Sequence, residues 1–331
     1  MAQAQYPFNQ RRLRAGEAIR ELTADIRLSA RQFIQPLFVE EGIEEPRNVE
    51  GLNGVRVDTL ETVLITIEQD LKSGVSKFLI FPVPLRRSAE QFDFSFAVRV
   101  FETIRTKFGN KVWLAADLCL CSYTTHGHCG ILNKEGTKLL NDPTVGVLSN
   151  YALELVKAGA DCIAPSDMMD GRIAAIRSKL DEHGFDDRAI MSYAAKFSSQ
   201  FYGPFRDACH SSPGQAALKD RKTYQISPLN GKDAIASALR DEQEGADILM
   251  VKPAALYTDV IAALHLQTNR PLAAYHVSGE YAAIELLAEK GLLNREAAHL
   301  EVWTSLVRSG ANMIISYAAR NATAWINEMK Y

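Results

Sequence analysis

Two lysines stand where a lysine is costly. In ADILMVKPAALY, residues 246–257, an apolar run from Ile248 to Val251 leads straight into Lys252 and then Pro253. Such a run reads as a buried strand, and an ammonium at its end must be paired or neutralised. SYAAK places Lys196 in the same position after another apolar run. A lysine attacks a carbonyl only as the neutral amine, and both a neighbouring cation and an apolar wall lower its pKa. Two such lysines on adjacent strands point to Schiff-base chemistry. A single one would be better explained as paired with an acid such as Asp117 or Asp167.

The segment DLCLCSYTTHGHCG brings Cys119, Cys121 and Cys129 together. Three thiolates leave the fourth position of a tetrahedral ion open, which is the pattern of a catalytic rather than a structural zinc. His126 and His128 adjoin Cys129 and are candidates for ligands or for donors behind them. Cys162 reads as a small core residue. The stretch from 200 to 230 is long for a loop in a compact domain and suggests a lid. It carries Arg206, Lys219, Arg221, Lys222 and Gln225. Guanidinium forks bind carboxylates bidentately, so a basic lid over two lysines suits a small acidic substrate with a carbonyl.

These groups need a scaffold, and the chain supplies a repeating one. Short apolar runs recur at 33–39, 77–82, 112–118, 161–166, 189–194, 247–253, 271–277 and 312–318. Amphipathic stretches lie between them, such as TLETVLITIEQDLKSG and NYALELVKAGA, each ending at or near a Gly, as helix C-termini do. Continuous apolar strands alternating with helices imply a parallel sheet covered on its outside. Eight such units predict an α/β fold, a (β/α)₈ TIM barrel, over 33–331. Residues 1–32, rich in Arg, read as an N-terminal extended or helical arm, either a loose tail or a segment that docks on a neighbouring subunit. An open doubly wound sheet is the alternative, weakened because no G-x-G-x-x-G follows an early strand.

A barrel carries its chemistry at the C-terminal ends of its strands. There the sequence puts Asp117, Ser166, Lys196, Lys252, Tyr275, Ser278 and Tyr317. The 331 residues are 47% hydrophobic and 23% charged with a formal net charge of -3, which gives no reason to expect nucleic acid or an anionic membrane as partner. The N-terminal stretch lacks the apolar core of a secretory signal, and no run approaches a membrane span. The expectation is a cytoplasmic chain whose five cysteines are thiols or ligands.

DLCLCSYTTHGHCG, APSDMMDGR, SYAAKFSSQFYGPFRDA, DRKTYQ, DILMVKP and YHVSGEY resemble the porphobilinogen synthases, or 5-aminolevulinate dehydratases, along essentially the whole chain. The resemblance implies a lyase that condenses two 5-aminolevulinate molecules, with loss of two waters, into porphobilinogen on the route to haem. It implies a homo-octamer built from arm-exchanging dimers. Lys252 and Lys196 match that family's Schiff-base lysines, Lys252 being the principal one. Cys119, Cys121 and Cys129 match its zinc ligands, while Asp117 and Ser166 match residues lining the site. Ser278 and Tyr317 match the pair holding the first substrate's carboxylate, with Tyr275 beside them. Arg206, Arg221 and Gln225 match the lid groups for the second carboxylate. Many bacterial relatives hold an allosteric magnesium through a glutamate. Asp233 stands at that position, one methylene shorter, and makes Mg2+ a second expected ion. A lysine aldolase would instead carry a Gly-rich phosphate site after the last two strands, where VSGEY and SYAAR have one glycine. A zinc-binding scaffold would explain the cysteines but not the lysines.

Overall fold

In the computed structural model, residues 10–211 and 216–329 are described. Eight parallel strands close on themselves. They are β1 (Phe33–Glu40), β4 (Lys77–Val83), β5 (Trp113–Leu118), β6 (Cys162–Pro165), β7 (Ala189–Lys196), β8 (Ile248–Lys252), β9 (Leu272–His276) and β10 (Met313–Ser316), with β10 pairing back onto β1. Between β1 and β4 lies a small antiparallel pair, β2 (Arg47–Asn48) and β3 (Arg56–Asp58). One edge of β1 is shared: Phe33 and Ile34 pair with β10, while Phe38 and Val39 pair with β3. The fold is the TIM barrel expected. The strands are buried nearly end to end, as a sheet covered on both faces must be. Among the described residues no helix is long and apolar enough to cross a membrane.

The segment before the barrel forms a 3₁₀ turn, Gln10–Arg14, and a short helix, Glu17–Leu22, that buries none of its residues. Leu13 and Leu22 are exposed. A six-residue helix is too short to hold itself together in water. Residues 1–9 of the expected arm, and 212–215 of the expected lid, lie outside the described residues.

One irregularity decides which way β7 points its side chains. Between Ser192 and Ala195 the strand advances three residues while β8 advances two, from Leu249 to Val251. That is a β-bulge, one residue in excess. Side chains alternate with period two, so without the bulge Tyr193 and Lys196 would face opposite sides of the sheet. Ser192 faces outward, into the helix layer, where it bonds Arg172 and Asp241. The bulge returns Lys196 to the inner side, in register with Lys252.

Beneath the helices, that outward network is fully buried. Arg172 sits in the first turn of the helix Arg172–Glu182 and meets Asp241, on the helix Gly231–Gln243, at 2.8 Å. It also donates to Ser192 Oγ at 3.1 Å and to the Met169 carbonyl at 3.1 Å. Asp167 lies 3.6 Å from Arg172 and caps the Met169 N–H. Between them Met168 takes a φ of 73°, in the left-handed region that a β-carbon disfavours. Arg172 thus fixes the loop that leaves β6 just after Ser166. Replacing it leaves buried Asp167 without its cation and Asp241 with only Arg240 and Ser192. Arg172→Ala should lower the unfolding free energy by about 3–5 kcal/mol, read from denaturant titration of the purified protein. A loss below about 1 kcal/mol would show the network to be dispensable.

Candidate active site

At the inner end of β8 the Lys252 side chain is 3% exposed and enclosed by rings. Its Nζ lies 4.1 Å from the Tyr275 ring centroid, 4.7 Å from Phe205, 4.9 Å from Tyr193 and 5.5 Å from Tyr202. Lys196 Nζ lies 5.5 Å from the same Tyr193 ring and donates to the Ser166 carbonyl. The two amines therefore share one aromatic wall. Burial is the main force lowering the Lys252 pKa, to about 7, and the Lys196 charge adds to it; the nearby Asp117 carboxylate works the other way. An amine so placed is substantially uncharged at neutral pH.

Asp117, at the inner end of β5, faces both lysines. Burial raises its pKa, against the pull of Lys252 and Lys196, and its Oδ1 is buried without a hydrogen-bond partner. An orphaned carboxylate oxygen beside two amines is open to a substrate atom or a proton. Tyr275 and Tyr317 face each other with hydroxyls 3.4 Å apart. Ser278, fully buried, accepts from the Phe205 N–H at 3.2 Å and donates to the Phe201 carbonyl at 3.3 Å. Both partners belong to the base of the lid.

The loop after β5 gathers the thiols. The three Sγ atoms of Cys119, Cys121 and Cys129 lie within 4.8 Å of one another, and all three residues are buried. Three thiolates around one tetrahedral zinc sit roughly 3.8 Å apart, from Zn–S bonds of about 2.3 Å. The donor set and its spacing fit such an ion. No histidine joins the cluster among the described residues. His128 turns instead to the lid, where Nδ1 meets Tyr224 Oη at 3.1 Å and Nε2 the Leu218 carbonyl at 2.9 Å. His126 accepts from the His128 N–H and leaves its Nε2 buried and unpartnered.

The lid lies across the barrel mouth. It starts with the 3₁₀ turn Gln200–Tyr202 and the helix Gly203–Ala208. It returns beside the lysines, where Ile226 donates to the Lys196 carbonyl and Ser198 to Ile226. Arg221, buried, holds the carbonyls of Gly127 at 2.9 Å and Ser211 at 2.5 Å. With Arg206, Lys219 and Lys222 it lines a cavity of about 260 Å³. The Nε atoms of Arg206 and Arg221 and the Nε2 of Gln225 are buried without partners. Asp220 also lines it and pairs with Lys222 at 3.3 Å, which leaves an excess of positive charge that suits a carboxylate. Gln225 lines an adjoining outer groove rather than that cavity.

Asp233 is not part of this assembly. It sits exposed in the first turn of the helix Gly231–Gln243, beside an outer groove it shares with Asp170 and Arg240. Among the described residues it joins no group of three possible metal ligands. Sequence reasoning did not reach Tyr193, Tyr202 and Phe205, which build the wall around Lys252. Tyr193 was hidden by the bulge, since a regular strand would point it away from Lys196.

The delta-aminolevulinic acid dehydratase family model matches residues 8–325. The delta-aminolevulinic acid dehydratase of Bacillus subtilis is 40% identical over 326 residues, covering 97% of this chain and 99% of that one. The Escherichia coli protein of the same name is 40% identical over 313 residues, covering 93% and 94%. The crystal structure of the Toxoplasma gondii enzyme, in complex with its reaction product porphobilinogen, superposes with a TM-score of 0.94 at 36% identity, covering 99% of this chain and 94% of that one. Matched almost end to end by sequence and by backbone, this chain belongs to the delta-aminolevulinic acid dehydratase family.

Proposed function

We propose that the chain is a porphobilinogen synthase: it joins two molecules of 5-aminolevulinate and removes two waters to give the pyrrole porphobilinogen. The observation that carries this reading is the pair of inward lysines in register, one of them with its pKa brought to about 7. Family membership names the substrate, and the lysine pair names the chemistry.

Neutral Lys252 Nζ attacks the keto carbon of one substrate, and loss of water leaves an iminium. That cation withdraws electrons from the adjacent carbon and makes its proton removable. Ser278 and Tyr317 receive the carboxylate of this substrate, with Tyr275 stacked over the amine. Lys196 captures the second keto group in the same way. Asp117, within reach of both amines, moves protons between them. Ser166 orients Lys196 through its carbonyl. Arg206 and Arg221 receive the second carboxylate from the lid, and Gln225, with its Nε2 unpartnered, would reach it from the adjoining groove, so a neutral ketone would leave buried donors unpaired. Cys119, Cys121 and Cys129 would hold Zn2+, which supplies Lewis-acid polarisation at its open position. Asp233 would hold a Mg2+ through water, outside the barrel. The arm, residues 1–32, would pack Leu13 and Leu22, both exposed, on a second copy and build a homo-octamer. The barrel's substrate is small and soluble, which suits a cytoplasmic enzyme.

Porphobilinogen formation from 5-aminolevulinate tests the reading directly. Activity should vanish on chelation and return with zinc; no product under any metal would overturn it. Cys121→Ser should lose bound zinc and at least about 100-fold in kcat, while borohydride trapping of substrate on the lysines survives. Trapping lost together with zinc would contradict the division of labour.

The pH dependence follows from Lys252. Its ammonium form cannot attack, so the trapping rate should rise with pH and level off above about 7. The Lys196 charge lowers the Lys252 pKa. Removing that charge in Lys196→Gln should therefore move the inflection to higher pH. An inflection that stays put would show that burial alone tunes the amine.

A further inference from the structure

We propose that Glu280 is a positioning residue that ties the chain leaving Lys252 to the turn carrying Ser278, resting on the roles given above to those two residues. It thereby fixes the span between the amine that takes the keto carbon and the hydroxyl that meets the carboxylate of the same substrate.

Glu280 lies in the first turn of the helix Ser278–Glu289 and is only 6% exposed. Its two oxygens are divided between two segments. Oε2 accepts from the Val277 N–H at 3.0 Å, immediately before Ser278. Oε1 accepts from the N–H groups of Ala255 at 3.0 Å and Leu256 at 3.4 Å, three and four positions after Lys252. A glutamate that merely caps its own helix needs only the bond to Val277. The bonds to Ala255 and Leu256 cross 25 and 24 residues and serve no helix.

The charge is held by backbone N–H groups in a closed space. Burial raises its pKa to about 7, while the N–H groups of Val277, Leu256, Ala255 and Ala254 pull it back. The titratable groups that face it from the neighbouring elements are the phenols of Tyr202, at the lid base, and Tyr257, after β8. Neither can neutralise a carboxylate. As a carboxylate, its major form above that pH, the group fixes its donors, because releasing one leaves both partners unsatisfied.

The two segments have little other freedom. Lys252's carbonyl accepts from the Phe197 N–H at 2.8 Å and from Tyr202 Oη at 3.0 Å. On the other side, a β-carbon at Gly279 would stand 2.7 Å from the Phe201 carbonyl oxygen, so the turn is pressed against the lid base. Glu280 is the side chain that joins both.

Glu280→Gln tests the tie. Whichever way the amide turns, its NH₂ meets a backbone N–H, so one of the two links must open. The readout is borohydride trapping at Lys252 with two probes: 5-aminolevulinate, and the same ketone with its carboxylate replaced by a primary amide. The expected result is an about tenfold loss of trapping efficiency for the keto acid and a change under about twofold for the amide, with the thermal midpoint close to wild type. Equal loss for both probes, or none for either, would overturn the inference. Should Glu280→Gln not fold, Glu280→Asp keeps the charge, shortens the reach and carries the same comparison. Wild-type protein that traps neither probe at Lys252 would instead overturn the proposed function, and this inference with it.

Discussion

The structure turns on one electrostatic constraint: two amines must share a wall of rings at the closed end of a barrel. An ammonium taken out of water is expensive, and a second beside it more so. Lys252 meets this by giving up its proton near neutrality. Lys196 meets it by donating to the Ser166 carbonyl. The loop that presents Ser166 is held from behind by Arg172, whose own charge is matched by Asp241 and Asp167. A chain of buried polar contacts therefore runs from the helix layer to the reactive amines, and each link is there because the next one is buried.

Geometry adds a second condition. Both lysines must point inward from strands that alternate with period two. The excess residue in β7 reconciles an outward Ser192, needed by the arginine network, with an inward Lys196, needed by the site. Bulges of this kind commonly re-aim a side chain beside an active site. The lid completes the enclosure from above. Its Phe205 ring lies against Lys252, and its Tyr202 hydroxyl holds the Lys252 carbonyl. Folding of the lid and tuning of the amine are in this sense one event.

Much of the architecture was legible in the sequence. The eight apolar runs correspond to the eight barrel strands within about two residues at each end, because parallel strands buried on both faces announce themselves by continuity rather than alternation. The pair β2 and β3 was not legible: two and three residues are too few to show a period. The expected run at 189–194 stopped short of Lys196, whereas the strand continues through it. Of the rings around Lys252, Tyr275 was expected at its strand end, but Tyr193 from β7 and Tyr202 and Phe205 from the lid base could not be found by spacing. Arg172 and Asp241 stand 69 positions apart, and nothing in either motif hints at the other. The histidines beside Cys129 were candidates for ligands or for donors behind them; neither joins the thiol cluster, and His128 turns to the lid.

The central claim is that the aromatic cup and the Lys196 charge keep Lys252 uncharged at neutral pH. Competitive labelling with a trace acylating reagent across pH, resolved by peptide mass, measures the titration of each lysine without substrate or turnover. Lys252 should half-titrate near pH 7, far below the surface lysines of the same molecule. A midpoint close to the ordinary lysine value of about 10.5 would contradict the account, because the cup would then enclose an ammonium that cannot attack.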